Sequence, residues 1–337
     1  MSTDVAILIV TYNSEHQIEA CLQSVFDQQG GLNQEVIVLD NNSADQTVSV
    51  VRAKFPHVKL VLPGCNLGFA AGVNRAAQQS NADYFLLLNP DTVVLDHAIA
   101  TVVEFARNHP HYGLYGGQTL RPDGSLEPSS CWGMPSLWSL AMFATGLNMV
   151  ARRNRILDPE SLGKWPRDTV REVGVITGCF LLASRQVWTK LGGMDERYFL
   201  YGEDTDFSKR AHRAGFHPVI VPTARIVHEV GQSSATPTHK KLMLFRGKAC
   251  FFRTHYTGAK RQFALFFLLA GVALRVMLSA VRFSFGPGKR SSSDWLAVWH
   301  QRHQWIQGFP ASLSAGATSK PALGSSPTLV SERSSLD

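Results

Sequence analysis

Four short, largely apolar runs in the first part of the chain, three of them ending in polar residues, constrain its fold more than any other feature. They are VAILIV at 5–10, EVIVL at 35–39, VKLVL at 58–62 and YFLLL at 84–88. Apolar runs without polar alternation are the pattern of strands covered on both faces. Between the first two runs, Ile18, Leu22, Val25 and Phe26 form one helical stripe within 15–28, and Gly30 and Gly31 break it. A second helical stretch occupies 44–54. Strand, helix, strand, helix, strand implies a parallel sheet with right-handed crossovers. Such sheets bind ligands beyond the carboxyl ends of their strands, where this chain places Thr11-Tyr12-Asn13-Ser14 and Asp40-Asn41-Asn42-Ser43. No GxGxxG follows the first strand, so the dinucleotide-binding fingerprint of a dehydrogenase is absent.

The fourth run enters Asn89-Pro90-Asp91-Thr92. Pro90 stops the strand and leaves Asp91 at its carboxyl edge, as a hard-metal ligand or as an ordinary residue of a proline turn. Before it, 66–75 reads NLGFAAGVNR, whose glycines suit a turn and close backbone approach ahead of a helix with free N–H groups. A helix is expected over 95–108 and a turn at 121–124. Residues 128–165 are less regular, with Trp132, Trp138 and Trp165 packing loops or stacking on a sugar, and a basic cluster at Arg152, Arg153 and Arg155. Residues 172–182 read as a glycine-interrupted strand, followed by a helix to Leu191.

Residues 192–215, GGMDERYFLYGEDTDFSKRAHRAG, are expected to hold the chemistry. A helix over 203–214 puts Glu203, Asp204 and Asp206 at its positive end and Lys209, Arg210 and Arg213 towards its negative end. Gly215 follows, and Phe207, Ala211 and Ala214 face the core. Complementation of the helix dipole alone could explain these acids; the other segments of the chain favour carboxylates delivered to a cleft. A short strand at 217–222 and the stretch 224–234 follow, with His228 near a strand end. A lone histidine is a structural residue or a ligand in a magnesium or manganese site built mainly from carboxylate and phosphate.

At 337 residues, 45% hydrophobic and 18% charged, the chain is globular, with one large domain or two smaller ones. Its net charge of +7 suits an anionic membrane surface or a phosphorylated small molecule. Dispersed basic residues and the lack of a nucleic-acid module argue against nucleic acid. Five scattered cysteines without metal spacing imply reduced thiols in the cytosol, and 5–10 is too short for a signal-peptide core, so export is not expected. Residues 263–281, FALFFLLAGVALRVMLSAV, approach the length of about 20 needed to span a bilayer. Arg275 inside them would cost about 2.5–3.5 kcal/mol at mid-membrane. Lys260, Arg261, Arg282, Lys289 and Arg290 flank the stretch. An interfacial helix, a packed soluble helix and a true span are the three readings. Trp295, Trp299 and Trp305 are interfacial anchors or core, and from 310 onward the composition is that of a disordered tail.

Taken in order, VTYNS, LDNNSAD, NLGFAAGVN, LLLNPDT, GGMDERYFLYGEDTDF and HEVGQS resemble the family 2 glycosyltransferases, most closely their rhamnosyltransferase branch, over about 5–234. The resemblance implies an α/β, GT-A (nucleotide-diphospho-sugar transferase) fold: a Rossmann-like, mostly parallel sheet flanked by helices, with a C-terminal helical extension. The catalytic domain would occupy 1–235, a partly apolar, membrane-proximal helical extension 236–309, and the tail 310–337. In similar enzymes the loop of Thr11, Tyr12 and Asn13 holds the nucleobase and Asp40 accepts its N3–H. Asn66, Gly68, Asn74 and Arg75 fall within the implied nucleotide-sugar site.

Asn89-Pro90-Asp91 takes the place of the family's DxD motif, so Asp91 would bind the Mg or Mn ion that bridges the donor phosphates. Asn89 would touch the ribose without being a charged ligand, and His228 would complete the metal site. Asp204 matches the general base, with Glu203 in support or, alternatively, as the base itself. The implied reaction is inverting transfer, most readily of L-rhamnose from dTDP-L-rhamnose, from a nucleotide-diphospho-sugar to a hydroxyl of a glycan or lipid-linked acceptor in cell-surface polysaccharide synthesis. The enzyme would be cytoplasmic and peripheral on the inner face of the cytoplasmic membrane. Two other classes compete. A sugar-nucleotide nucleotidyltransferase usually has a glycine- and basic-rich loop after its first strand, which Thr11–Ser14 lacks. A non-catalytic sugar- or lipid-binding relative would tolerate loss of either carboxylate site, yet Asp91, Asp204 and His228 are all present.

Overall fold

The computed structural model describes residues 3–28, 31–228, 236–285 and 289–310. Residues 229–233 of the HEVGQS motif, Gly30 and the expected tail from 311 lie outside these, as do the side chains of Arg282, Lys289 and Arg290.

The apolar runs form strands β1 (Val5–Thr11), β2 (Gln34–Asp40), β3 (Lys59–Val61) and β4 (Tyr84–Leu88), separated by helices α1 (Ile18–Phe26), α2 (Thr47–Lys54) and α3 (Phe69–Ala77). Then come β5 (Thr92–Val94), α4 (Ala98–Asn108), β6 (Leu114–Leu120), β7 (Cys131–Trp132), α5 (Leu137–Thr145) and α6 (Leu147–Val150). They are followed by β8 (Arg171–Glu172), β9 (Val175–Ile176), β10 (Phe180–Ser184), α7 (Arg185–Leu191), α8 (Glu203–Arg213) and β11 (Val219–His228). The chain closes with α9 (Pro237–His255), α10 (Gly258–Phe285), α11 (Lys289–His300) and α12 (Arg302–Trp305).

The main sheet runs β3-β2-β1-β4-β10-β6-β11-β5, with β8 paired to β11. β1, β2, β3 and β4 are mutually parallel, as are β6 and β11, whereas β10 runs antiparallel between β4 and β6. Alternation along β1 divides the core. Val5, Ile7 and Ile9 pack with α1, α2 and α4 on one face, and Ala6, Leu8 and Val10 with α3, α7 and α8 on the other. This two-sided burial is why the strands lack polar alternation.

Two stretches depart from the sequence expectation. Residues 172–182 do not form one strand. Gly174 lets the backbone cross Gly133 and Met134 so closely that a Cβ there would stand 2.7 Å from the Gly133 carbonyl carbon. The chain therefore divides into β8, β9, which pairs with β7 in a separate ribbon, and β10. Residues 128–165 contain α5, which begins with a capping box between Ser136 and Ser139. Of the three tryptophans there, Trp165 is buried, with Arg167 and Arg171 over its ring, while Trp132 and Trp138 are exposed.

A third apolar cluster joins α9, α10, α11 and α12, including Trp305, to Leu140 of α5. The C-terminal helices thus share a core with a segment inside the first half of the chain. Arg275 is buried in it: Nη1 donates to the Phe143 and Gly271 carbonyls (both 2.9 Å), and Nη2 to Asn148 Oδ1 (3.1 Å). Its guanidinium lies 3.7 Å from the Phe143 ring centroid.

Candidate active site

The loops after β1 and β2 are joined by side chains at their carboxyl ends. Thr11 Oγ1 donates to Asp40 Oδ2 (2.9 Å), which also accepts the Ser43 hydroxyl (2.6 Å), while Asp40 Oδ1 accepts the Ser43 N–H (2.8 Å). Asn13, in the left-handed region, donates its N–H to Ser43 Oγ and accepts the Ala44 N–H on Oδ1. Asp40 is buried, and Oδ1 retains a lone pair for one further donor. Tyr12 projects from the same loop, half exposed.

Asn41, to which the sequence reading gave no individual role, holds the next loop. Its Nδ2 donates to the Gly68 carbonyl (3.0 Å) and its Oδ1 accepts the Leu67 N–H (3.1 Å). Asn66 Oδ1 accepts the Gly68 N–H (2.9 Å). Gly68 has φ +81°, and a Cβ there would stand 2.5 Å from the Phe199 carbonyl oxygen. That oxygen accepts the Phe69 N–H (2.8 Å), so the turn opening α3 rests on the aromatic run that precedes α8. Asn74 and Arg75 lie elsewhere, about 8–9 Å along the axis from the start of α3. The Asn74 amide is bonded to both the N–H and the carbonyl of Met194 and to Glu196, and Arg75 is exposed in the last turn.

Beyond β4, Asn89 is fixed through its backbone, with N–H to the Cys179 carbonyl (3.2 Å) and carbonyl to Thr92 Oγ1 (2.7 Å). β11 pairs antiparallel with β5 so that His228 lies opposite Thr92. This brings His228 Nε2 to 3.2 Å from Asp91 Oδ1, with Asp91 buried and His228 nearly so. Burial works to lower the imidazole pKa, but the Asp91 carboxylate and the Cys179 thiol outweigh it and raise the value to about 10. With its proton displaced by a cation, the His228 imidazole beside the buried Asp91 carboxylate would be a donor set that suits a divalent ion whose remaining ligands are phosphate oxygens and water. Among the described residues no third His, Cys, Asp or Glu completes a protein-only metal site.

α8 starts after Tyr201 (φ +68°) and Gly202 (φ +102°), two successive left-handed residues that turn the chain into the helix. Its three acids have separate environments. Asp206 is fully buried, bonded by Arg210 Nε (2.7 Å) and by His255 Nε2 of α9 (2.7 Å). Because Arg213 can only donate to His255 Nδ1 (2.9 Å), Nε2 carries the hydrogen shared with Asp206. Helix-dipole complementation is therefore a poor description of Asp206 and Arg210, which form an internal i,i+4 pair.

Glu203 is buried, and burial first, then the neighbouring Asp204 charge, push its carboxyl well above the usual range. Asp204 is also raised by burial, but the N–H and hydroxyl of Thr205 and the Gly178 N–H oppose that shift by bonding its carboxylate. Of the two, Asp204 is the better base at neutral pH and Glu203 the better proton holder.

Residues 177–179 tie these parts together. Thr177 Oγ1 donates to the Ser129 and Ser130 carbonyls, the Gly178 N–H faces the Asp204 carboxylate, and Cys179 accepts the Asn89 N–H on its carbonyl and turns its thiol to His228. One sign of this junction is legible in the sequence: Gly178, where a Cβ would press on the Phe69 ring at 3.1 Å.

A profile of glycosyl transferase family 2 matches residues 6–161. The chain is 31% identical over 261 residues to N-acetylglucosaminyl-diphospho-decaprenol L-rhamnosyltransferase of Mycobacterium tuberculosis, covering 69% of this chain and 78% of the relative. The chain belongs to glycosyl transferase family 2. It is a glycosyltransferase, and the resemblance to the rhamnosyltransferase branch holds. Another relative, O-antigen biosynthesis protein RfbC of Myxococcus xanthus, is 24% identical over 201 residues, 59% of this chain and 15% of that protein.

Among solved structures, the mannosyltransferase PcManGT of Pyrobaculum calidifontis, in complex with GDP-Man and Mn2+, aligns with a TM-score of 0.53 at 16% identity. The alignment covers 90% of this chain and 88% of that one. TarS of S. aureus aligns with a TM-score of 0.51 at 16% identity, over 93% of this chain and 50% of that one. These neighbours establish the GT-A fold.

Proposed function

We propose that this glycosyltransferase moves L-rhamnose from dTDP-L-rhamnose to a hydroxyl of a lipid-linked glycan, with inversion, at the cytoplasmic face of a membrane and in the synthesis of a cell-surface polysaccharide. The observation that carries the reading is the approach of the Gly178 N–H to the Asp204 carboxylate, one residue from Cys179, whose carbonyl accepts the Asn89 N–H and whose thiol faces His228. That junction puts the Asp204 carboxylate and the Asp91–His228 pair on two sides of one short segment. The mycobacterial relative's rhamnosyl transfer to a diphospho-decaprenol acceptor supports the donor and acceptor classes.

In this reading Tyr12 and the Thr11–Asp40–Ser43 cluster receive the nucleobase, with the open lone pair of Asp40 Oδ1 accepting its N–H. Asn66 and Gly68 hold the turn that the donor passes, and Asn89 faces the ribose. Asp91 and His228 would hold a Mg or Mn ion, which when bound supplies Lewis-acid stabilisation of the departing diphosphate. Asp204 removes the acceptor hydroxyl's proton as that oxygen attacks the anomeric carbon from the side opposite the leaving group. Glu203, held protonated beside it, leaves Asp204 as the charged member of the pair.

The test is a panel of nucleotide sugars with purified protein, divalent metal and a polyprenyl-diphosphate-linked acceptor, comparing wild type with Asp204→Asn. Rhamnosyl transfer by wild type only, abolished by chelator, is the expected result. Undiminished transfer by Asp204→Asn sinks the assigned base, turnover in chelator removes the metal role of Asp91 and His228, and preference for another sugar replaces the donor.

A further inference from the structure

We infer that the face formed by α10 and the α5–α6 hairpin is a docking surface for an anionic lipid bilayer, on which α10 lies flat. The inference rests on the lipid-linked acceptor proposed above and adds the surface, its orientation and the lipid charge it selects.

Charge along the chain is sharply divided. Residues 230–293 contain eleven Lys and Arg and no Asp or Glu, whereas residues 1–229 contain nineteen Lys and Arg against twenty-three Asp and Glu. The net positive charge therefore belongs to the C-terminal helices, and the catalytic sheet domain is acidic. A surface evolved only for solubility has no need of such segregation; one that meets anionic headgroups does.

The same helices expose apolar side chains along one stripe. Phe263, Phe266, Met277 and Leu278 are exposed, Phe266 to 61%, and Phe267, Ala270, Ala273 and Leu274 between them on the same helical face are partly exposed. The opposite face, with Ala264, Leu265, Leu268, Val272 and Arg275, packs into the helical core. The stripe continues onto the hairpin, where a Cβ at Gly146 would lie 3.0 Å from Leu274 Cδ2. Leu147, Val150 (86% exposed) and Ile156 extend it. Arg152, Arg153 and Arg155 rim the hairpin end, and Lys260 and Arg261 the start of α10.

α10 is long and apolar enough to cross a membrane over Gly258–Ala280. Its packing favours lying on the surface. Insertion across the bilayer would strip Arg275 from the Phe143 and Gly271 carbonyls and from Asn148, and would open the contact at Gly271, where the helices approach so closely that a Cβ would stand 3.1 Å from Phe143 Cγ. An apolar stripe with a cationic rim on a helix already packed on its other side has the form of an interfacial helix.

The test is co-sedimentation of the full chain with vesicles of phosphatidylcholine alone and of phosphatidylcholine with phosphatidylglycerol. Binding is expected only to the anionic vesicles, with loss of about fivefold in affinity for each of Arg152→Ala and Arg155→Ala and release by high salt. Val150→Asp and Phe266→Asp are expected to lose vesicle binding at least tenfold while keeping transfer to a soluble acceptor analogue. Equal binding to neutral and anionic vesicles, or variants that bind like wild type, would overturn the inference. So would light scattering that shows a dimer dissociated by Phe266→Asp with no vesicle binding, since the face would then serve self-association. Vesicle binding without transfer of any nucleotide sugar would instead fail the acceptor reading alone, and transfer without vesicle binding would fail the surface alone.

Discussion

Gly247 is where the C-terminal helices meet the start of α8. It lies in α9 against Tyr201 and Gly202, immediately before Glu203 and Asp204, and a Cβ there would stand 2.8 Å from the Tyr201 carbonyl carbon and nearer still to its oxygen. Ordinary carbon–carbon contact begins at about 3.5 Å, so in Gly247→Ala the two backbones must part by about 0.7 Å or more. Overpacking of that kind costs about 1–3 kcal/mol, offset by about 1 kcal/mol from the better helix propensity of alanine. Net stability should therefore fall by no more than about 2 kcal/mol. The displacement acts at the first turn of α8, where a shift of about 1 Å can cost about a hundredfold in rate. The expected outcome is a small fall in the urea midpoint with a large fall in kcat on a soluble acceptor. Gly271→Ala is the control. It crowds Phe143, a ring that can rotate, at a place remote from α8, and should lower the midpoint comparably with kcat within about twofold of wild type. Unchanged kcat in Gly247→Ala, or equal losses of kcat in both variants, would refute a positioning role for α9.

Glu203→Gln should keep transfer within a few fold of wild type, because glutamine mimics the protonated acid, whereas Asp204→Asn should lose about a hundredfold or more. The same substitution has a stability signature. A folded pKa raised above the unfolded value means that the native state binds more protons, so stability is lost as pH rises from the ordinary glutamate range towards the raised value. Glu203→Gln should gain on wild type through that window by about 1.4 kcal/mol per pH unit and match it near pH 4, which urea titrations at several pH values measure. Asp206→Asn weakens a buried carboxylate bonded by Arg210 and His255, and should destabilise by about 3 kcal/mol in the same assay. Gly68→Ala meets both a left-handed backbone and the Phe199 carbonyl, so it should raise the donor KM several fold by shifting the turn before α3, and steady-state kinetics would show it. A donor KM unchanged in Gly68→Ala would show that the turn does not shape the donor site.

The first four strands of the sheet are legible in the sequence. Runs such as VAILIV and YFLLL are too apolar for anything but strands covered on both sides, and the polar residues that follow them must then gather at one sheet edge. Asp40 with Thr11, and Asn89 with Asp91, were legible for that reason. Only the tertiary structure decided which polar residues are bound to the protein and which remain open. Asn74 lies inside a quoted motif but spends its amide on Met194 and Glu196, and Asp206 shares a helix turn with Asp204 but belongs to Arg210 and His255. Residues 177–179 and Gly247 act through partners distant in sequence, and no local pattern of polarity records such contacts. In 192–215 helical periodicity located the acids, while burial and hydrogen bonding gave Glu203, Asp204 and Asp206 three different environments. Periodicity depends on the chain's own geometry. Protonation depends on which groups arrive from elsewhere and on how much water they exclude.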